Sequence, residues 1–212
     1  MSDTPAQAAT RSRENTRARL MDAAFAVFAE VGLDGASVEA ICERAGFTRG
    51  AFYSNFDSKD ELFLALAASV SEHKLTTITE RVRALKDDAG RPAGPVEVVQ
   101  WLVDLSLDSR QGVLLTSEIR TRAMRDERIA AAYQAWLADM VQRVAAIVDD
   151  LVATYGMRLR MPASAFAQLM LELWESTSVN ALIQRLDDAA TGELVRTRTL
   201  VLAAAVVEGF GQ

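Results

Sequence analysis

Residues 32–66 read GLDGASVEAICERAGFTRGAFYSNFDSKDELFLAL, a stretch dense in helix starts and stops. Ser37 stands where an N-cap belongs, its hydroxyl facing the first free amides, and Glu39 sits favourably in the positive first turn. A helix follows from Val38 to Ala45 with Val38, Ile41, Cys42 and Ala45 on its apolar side, and Gly46 supplies the left-handed residue that stops it. Thr48 caps a third helix, Arg49 to Asn55. At barely two turns it is too short to persist alone and depends on Phe47, Phe52 and Phe56 docking into a shared core. Ser58 and Glu61 then form a capping box, Ser58 covering the amide of Glu61 and Glu61 reaching back to that of Ser58. The fourth helix, with Leu62, Phe63, Leu66 and Val70 at helical spacing, runs to about Asp88.

Outward from this stretch the helical reading continues. Before it, Leu20, Ala24, Val27, Phe28 and Val31 form the stripe of an amphipathic helix from Arg13 to Val31, ended by Gly32. After it, Gly90, Pro92, Gly94 and Pro95 are the clearest punctuation in the chain. Further helices are expected over Val96 to Asp108, Gly112 to Met124, Glu127 to Tyr155, Pro162 to Leu186 and Glu193 to Phe210. Breaks are expected at Gly156, Pro162 and Gly192, with Pro162 in a first helical turn. The spacing predicts an all-α chain of about nine helices in three parts: a flexible basic arm (1–12), a helix-turn-helix domain (13–71) whose fourth helix continues onward, and a helical bundle (72–212).

Composition narrows the function. The 212 residues are 50% hydrophobic and 25% charged, with four prolines and three tyrosines, which favours helix. A formal charge of −6 opposes indiscriminate coating of nucleic acid or an anionic membrane, so any nucleic-acid contact must come from a local patch. One cysteine, Cys42, and one histidine, His73, leave no cluster for zinc or iron. No cofactor is expected. The start has no apolar run behind a basic segment, and the longest apolar run, Leu200 to Val207, is too short to cross a bilayer; a soluble, cytoplasmic protein without membrane contact is expected.

Two short helices joined by a glycine-containing turn and packed on a longer one make an arrangement whose second helix can enter a major groove. Thr48 and Arg49 open that helix. Gly50 and Ala51 are small enough for close approach to base edges, Tyr53 and Asn55 can reach phosphates, and Ser37 and Lys59, at two other helix starts, suit phosphate as well. Arg11, Arg13, Arg17 and Arg19 either solvate a helix start or form an arm reaching an adjacent groove. Residues 1–60 hold seven basic and nine acidic residues, which throws the weight of binding onto Arg49, Lys59 and the arm.

The motif resembles the DNA-binding head of the tetracycline-repressor-like (TetR) transcriptional regulators. The resemblance rests on Ser37, Ala45, Gly46, Thr48, Tyr53, Phe56, Ser58, Lys59, Glu61 and Leu62 and covers roughly residues 13–66. It implies a homodimeric regulator, a repressor held on a near-palindromic double-stranded operator and released by a small-molecule effector. The implied pocket would be lined by Trp101, Leu105, Leu115, Ile119, Trp136, Met140 and Trp174, whose lack of charge suits an apolar or aromatic effector. The implied four-helix interface would use the last two helices. Their Phe166, Leu169, Met170, Leu173, Leu182, Ile183, Leu186, Leu194, Val201, Ala204, Val207 and Phe210 exceed what one helical pair needs for its own core. Enzymatic chemistry has no support: Val70 precedes His73 where a di-iron Glu-x-x-His would need Glu, and no phosphate loop or Ser/His/Asp set is present. The alternative reading is a helical ligand-binding or interaction module whose head does not read DNA.

Overall fold

Helix caps organise the chain. In the computed structural model, which describes residues 5–84, 95–106 and 109–208, Ser37 Oγ accepts from the Ala40 amide at 3.0 Å and Thr48 Oγ1 from the Ala51 amide at 3.2 Å. Asp187 Oδ1 accepts from the Ala190 amide at 2.8 Å. Gly46 takes the left-handed conformation (φ 72, ψ 33) that ends the second helix. Among the described residues the order is α1 (Pro5–Gly35), α2 (Val38–Ala45), α3 (Arg49–Tyr53), α4 (Lys59–Ala84), α5 (Pro95–Ser106), α6 (Arg110–Ala123), α7 (Glu127–Tyr155), α8 (Ala163–Ile183) and α9 (Asp188–Val206). The only other pairing among them is an isolated antiparallel bridge between Leu159 and Val207. The fold is all-α, and α2 and α7 keep the bounds read from the sequence.

Several boundaries differ. α1 begins at Pro5, so 5–12 is helical backbone rather than a flexible arm. Gly32 breaks the helix as expected, with a non-helical φ of 71 and ψ of 173, but one further turn follows it. α3 ends at Tyr53 because the chain turns at Ser54. α8 starts after Pro162, which stands at the cap position and not in the first turn. α9 starts at Asp188 instead of Glu193. The cap on Asp187 dominates there, and Gly192 lies buried inside the helix. The break falls at Arg185, which takes a positive φ of 58. The Gly90, Pro92 and Gly94 punctuation, Phe210 and residues 1–4 lie outside the described residues.

The chain forms two compact units, residues 1–70 with 115–130, and residues 71–114 with 131–212. The first closes around Leu20, Ala24, Val27 and Phe28 of α1, Leu33, Ile41, Phe52, Phe56, Leu62, Phe63 and Leu66, all buried. Phe28 and Phe63 meet edge to face at 5.1 Å, and Phe52 lies 5.8 Å from Phe56. Val31, on the expected stripe, is exposed instead. The second is built on Leu75, Val98, Ile147, Leu151, Phe166, Met170 and Val206.

The 115–130 segment, expected in the bundle, packs in the first unit. Leu115 and Ile119 are buried, and Arg122 pairs with both Asp34 and Asp60, the latter at 3.0 Å. A contact between residues so far apart in the chain has no local signature. Gly46→Ala, which forces a Cβ into the left-handed region and to 3.4 Å from the Arg19 guanidinium, is expected to lower stability by about 1–2 kcal/mol in urea unfolding.

Candidate nucleic-acid interface

α3 is only five residues long, so its carbonyl end needs partners from elsewhere. They come from α1. Arg13 Nη2 donates to the Ser54 carbonyl at 3.0 Å and Arg17 Nη1 to that of Asn55 at 2.6 Å, with the Arg17 guanidinium 4.1 Å above the Phe56 ring. Two residues after Arg17, Arg19 donates to the Ala45 carbonyl at 2.8 Å, closing α2, and lies 4.7 Å from the Phe47 ring. The arginines whose role the sequence left open are therefore clamps on the carbonyl ends of α2 and α3. The side chain of Arg11 lies outside the described residues.

With its back propped in this way, α3 presents Thr48, Arg49, Gly50 and Tyr53 to solvent, Ala51 half-buried beneath them. Arg49 is exposed and pairs through Nη1 with Glu39 Oε1 of α2 at 2.9 Å, the two side chains 62% and 58% exposed. Its guanidinium lies 5.9 Å from the centre of the Tyr53 ring. A hydrogen bond with the Tyr53 side chain and then the Glu39 charge push the Arg49 pKa up from its ordinary value, so it stays cationic. Ser37 is exposed with its hydroxyl engaged as the α2 cap.

Two residues are placed differently from expectation. Asn55 is buried; its Nδ2 donates to the Ala51 carbonyl at 2.8 Å, so the amide closes the α3 turn and does not extend outward. Lys59 is half-buried and its Nζ donates to the carbonyls of Leu33 at 2.6 Å and Ala36 at 2.8 Å. Both depart because the ends of α1 and α3 leave carbonyls that a nearby donor must satisfy. The capping box also shifts by one residue. Ser58 Oγ accepts from Glu61 at 3.1 Å, but Glu61 accepts from the amide of Asp57, not Ser58, at 2.6 Å. Cys42 is buried, and that burial pushes its thiol pKa up, in keeping with a core role.

Residues 20–66 match the family model "Bacterial regulatory proteins, tetR family". Over this stretch, 47 of the 212 residues, the chain is similar to the heads of that family. An uncharacterised HTH-type transcriptional regulator of Mycobacterium tuberculosis is 34% identical over 122 residues, 58% of this chain and 60% of that protein, so the chain spans less than two thirds of that relative. Over the whole fold, a TetR-family regulator from Mesorhizobium loti superposes with a TM-score of 0.71 at 18% identity, covering 92% of this chain and 98% of that one. A regulator from Saccharomonospora viridis, solved with choline, gives 0.70 at 16% identity, covering 92% and 99%.

The expected pocket residues do not share one unit. Leu115 and Ile119 belong to the first. Trp101, Met140 and Trp174 pack, partly buried, on the core of the second, where Trp174 Nε1 donates to Thr199 Oγ1 at 2.7 Å. Trp136, also in the second, lies tilted against Tyr133 with ring centres 5.5 Å apart, and its buried Nε1 has no hydrogen-bond partner among the described residues. The Leu105 side chain lies outside the described residues.

The expected interface residues also divide. Phe166, Met170 and Val207 are buried in the chain's own fold and are unavailable to a partner. Leu173, Leu182, Leu186 and Leu194 are half-buried, and Ala204 is exposed. Leu169, Ile183 and Val201 are large apolar groups on the surface, Ile183 73% and Val201 68% exposed. Leu169 and Ile183 lie fourteen positions apart on α8, close to four turns, and so share a face.

Gly50 is exposed and has room for a side chain, the nearest atom to an added Cβ being Thr48 Oγ1 at 3.6 Å. The fold does not need a glycine there, so Gly50→Ala is expected to raise stability by about 0.5–1 kcal/mol in urea unfolding. Lys59→Met, which orphans two carbonyls, is expected to lower it by about 1–3 kcal/mol.

Proposed function

We propose that this chain is a DNA-binding transcriptional regulator that reads a duplex through the first turn of α3. The observation that carries this reading is the exposed Thr48-Arg49-Gly50 turn, with Ala51 half-buried beneath it, which places a cation beside a patch of bare backbone that the fold does not require to be bare. Small residues let backbone approach base edges, and a guanidinium fork matches guanine O6 and N7. The Ser37 and Thr48 starts and the exposed Tyr53 supply backbone contacts around it. Lys59 and Asn55 contribute by holding helix ends, with one ammonium proton of Lys59 left over for a phosphate.

The protein works as a homodimer in the cytoplasm. Leu169, Ile183 and Val201 supply apolar surface that a second copy can cover, and a two-fold pair would space the recognition helices about 34–36 Å apart, giving a near-palindromic operator. It is a repressor, released by a small apolar or aromatic effector bound among the tryptophans of the second unit. The Saccharomonospora viridis neighbour solved with choline supports a small-molecule site in this fold, and Trp136 Nε1, without a hydrogen-bond partner among the described residues, offers an effector one hydrogen bond.

Selection of bound sequences from a random DNA pool tests the reading: enrichment of a two-fold symmetric site, lost with Arg49→Ala, is expected, and no enrichment at low salt would sink it. Ile183→Asp with Val201→Asp is expected to yield folded monomers in sedimentation and operator affinity at least about tenfold lower, since the paired helices set head spacing. An intact dimer would exclude this interface.

A further inference from the structure

We propose that Glu39, on α2, is a specificity-determining residue that acts by holding Arg49 for one base pair. This rests on the DNA-reading function proposed above. The Glu39–Arg49 pair joins the first turn of α2 to the first residue of α3 at 2.9 Å. With both side chains more than half exposed, such a pair contributes little to stability, and the two helices are already joined through Ile41, Phe52 and the α1 arginine clamps. The fold has no need of it.

Its effect is on the reading cation. Arg49 is gripped from two sides, by the Glu39 carboxylate and by the Tyr53 ring. A long side chain that would otherwise sample many rotamers is thereby held before any ligand arrives, and less freedom is lost on binding. The same carboxylate is a liability on nucleic acid. It cancels much of the Arg49 charge and brings a negative group to a surface lined with phosphates, so it weakens binding wherever no donor meets it. In the major groove a cytosine N4 amine is such a donor, as guanine O6 and N7 are the acceptors for the guanidinium. The pair therefore matches the cytosine and guanine edges of one base pair and penalises the other pairs. Other charges near the α3 start do not serve this purpose: Arg44 is taken by Glu30 at 2.7 Å, and Lys59 by backbone.

The test compares wild type, Glu39→Ala, Glu39→Gln and Arg49→Ala by selection from a random pool and by salt titration on random-sequence duplex. Glu39→Ala is expected to lose the guanine preference at one position per half-site, by about tenfold or more, yet to bind random duplex several-fold more tightly. Its log K against log salt is expected to steepen by up to about 0.9, the increment for one added phosphate contact. Arg49→Ala is expected to lose the same preference while binding random duplex more weakly. Glu39→Gln, which keeps the shape and an acceptor without the charge, is expected to bind random duplex more tightly and to retain part of the preference. An unchanged preference in both Glu39 variants, or weaker binding of random duplex by both, overturns the assignment of Glu39 while leaving DNA reading intact. Absence of any enriched site for wild type overturns DNA reading itself.

Discussion

The head depends on charged side chains that close helix ends. α2 and α3 are eight and five residues long, lengths at which unsatisfied terminal carbonyls are a large share of the backbone groups and at which helices do not persist alone. Arg13 and Arg17 satisfy the carbonyls beyond α3, Arg19 that of Ala45, and Lys59 those of Leu33 and Ala36. Each donor comes from a long helix, so the short helices borrow the rigidity of α1 and α4. Phe52 and Phe56 complete the support from beneath.

This arrangement divides the cations of an acidic protein into two kinds. Most basic residues of the head are bound to carbonyls or carboxylates of the same unit: Arg44 to Glu30, Arg122 to Asp34 and Asp60. Arg49 differs in its own exposure, its side chain 62% exposed against 40% for Arg44 and 28% for Arg122, so its guanidinium stays in solvent while it pairs with Glu39 at the α2 start. A head with few spare cations has little general attraction for phosphate, so discrimination must rest on a few well-placed contacts. The Glu39 carboxylate sharpens that condition, since it penalises every duplex that cannot offer it a hydrogen bond.

Much of the local structure was legible because its causes are local. Ser37, Gly46 and Thr48 mark helix ends through bonds spanning three or four residues, and Gly32 breaks α1 through its own dihedral angles. The aromatic support of α3 was legible from Phe52 and Phe56. Misreadings came where two local signals competed. At the start of α9 the Asp187 cap prevailed over Gly192, and at Glu61 the amide of Asp57 prevailed over that of Ser58. Gly192 looked like a break because a buried glycine within a helix and a terminating one leave the same mark in the sequence.

Residue types and spacing alone determined the all-α class, the capped short-helix pair and the small, cationic first turn of α3, because hydrophobic period and caps act over one or two turns. Tertiary structure alone decided which cations remain exposed. The clamping of Arg13, Arg17, Arg19 and Lys59, the Glu39–Arg49 pair and the seating of 115–130 in the first unit join residues from 10 to 88 positions apart. A side chain's partner over such distances is set by how the helices pack, which no window of sequence contains.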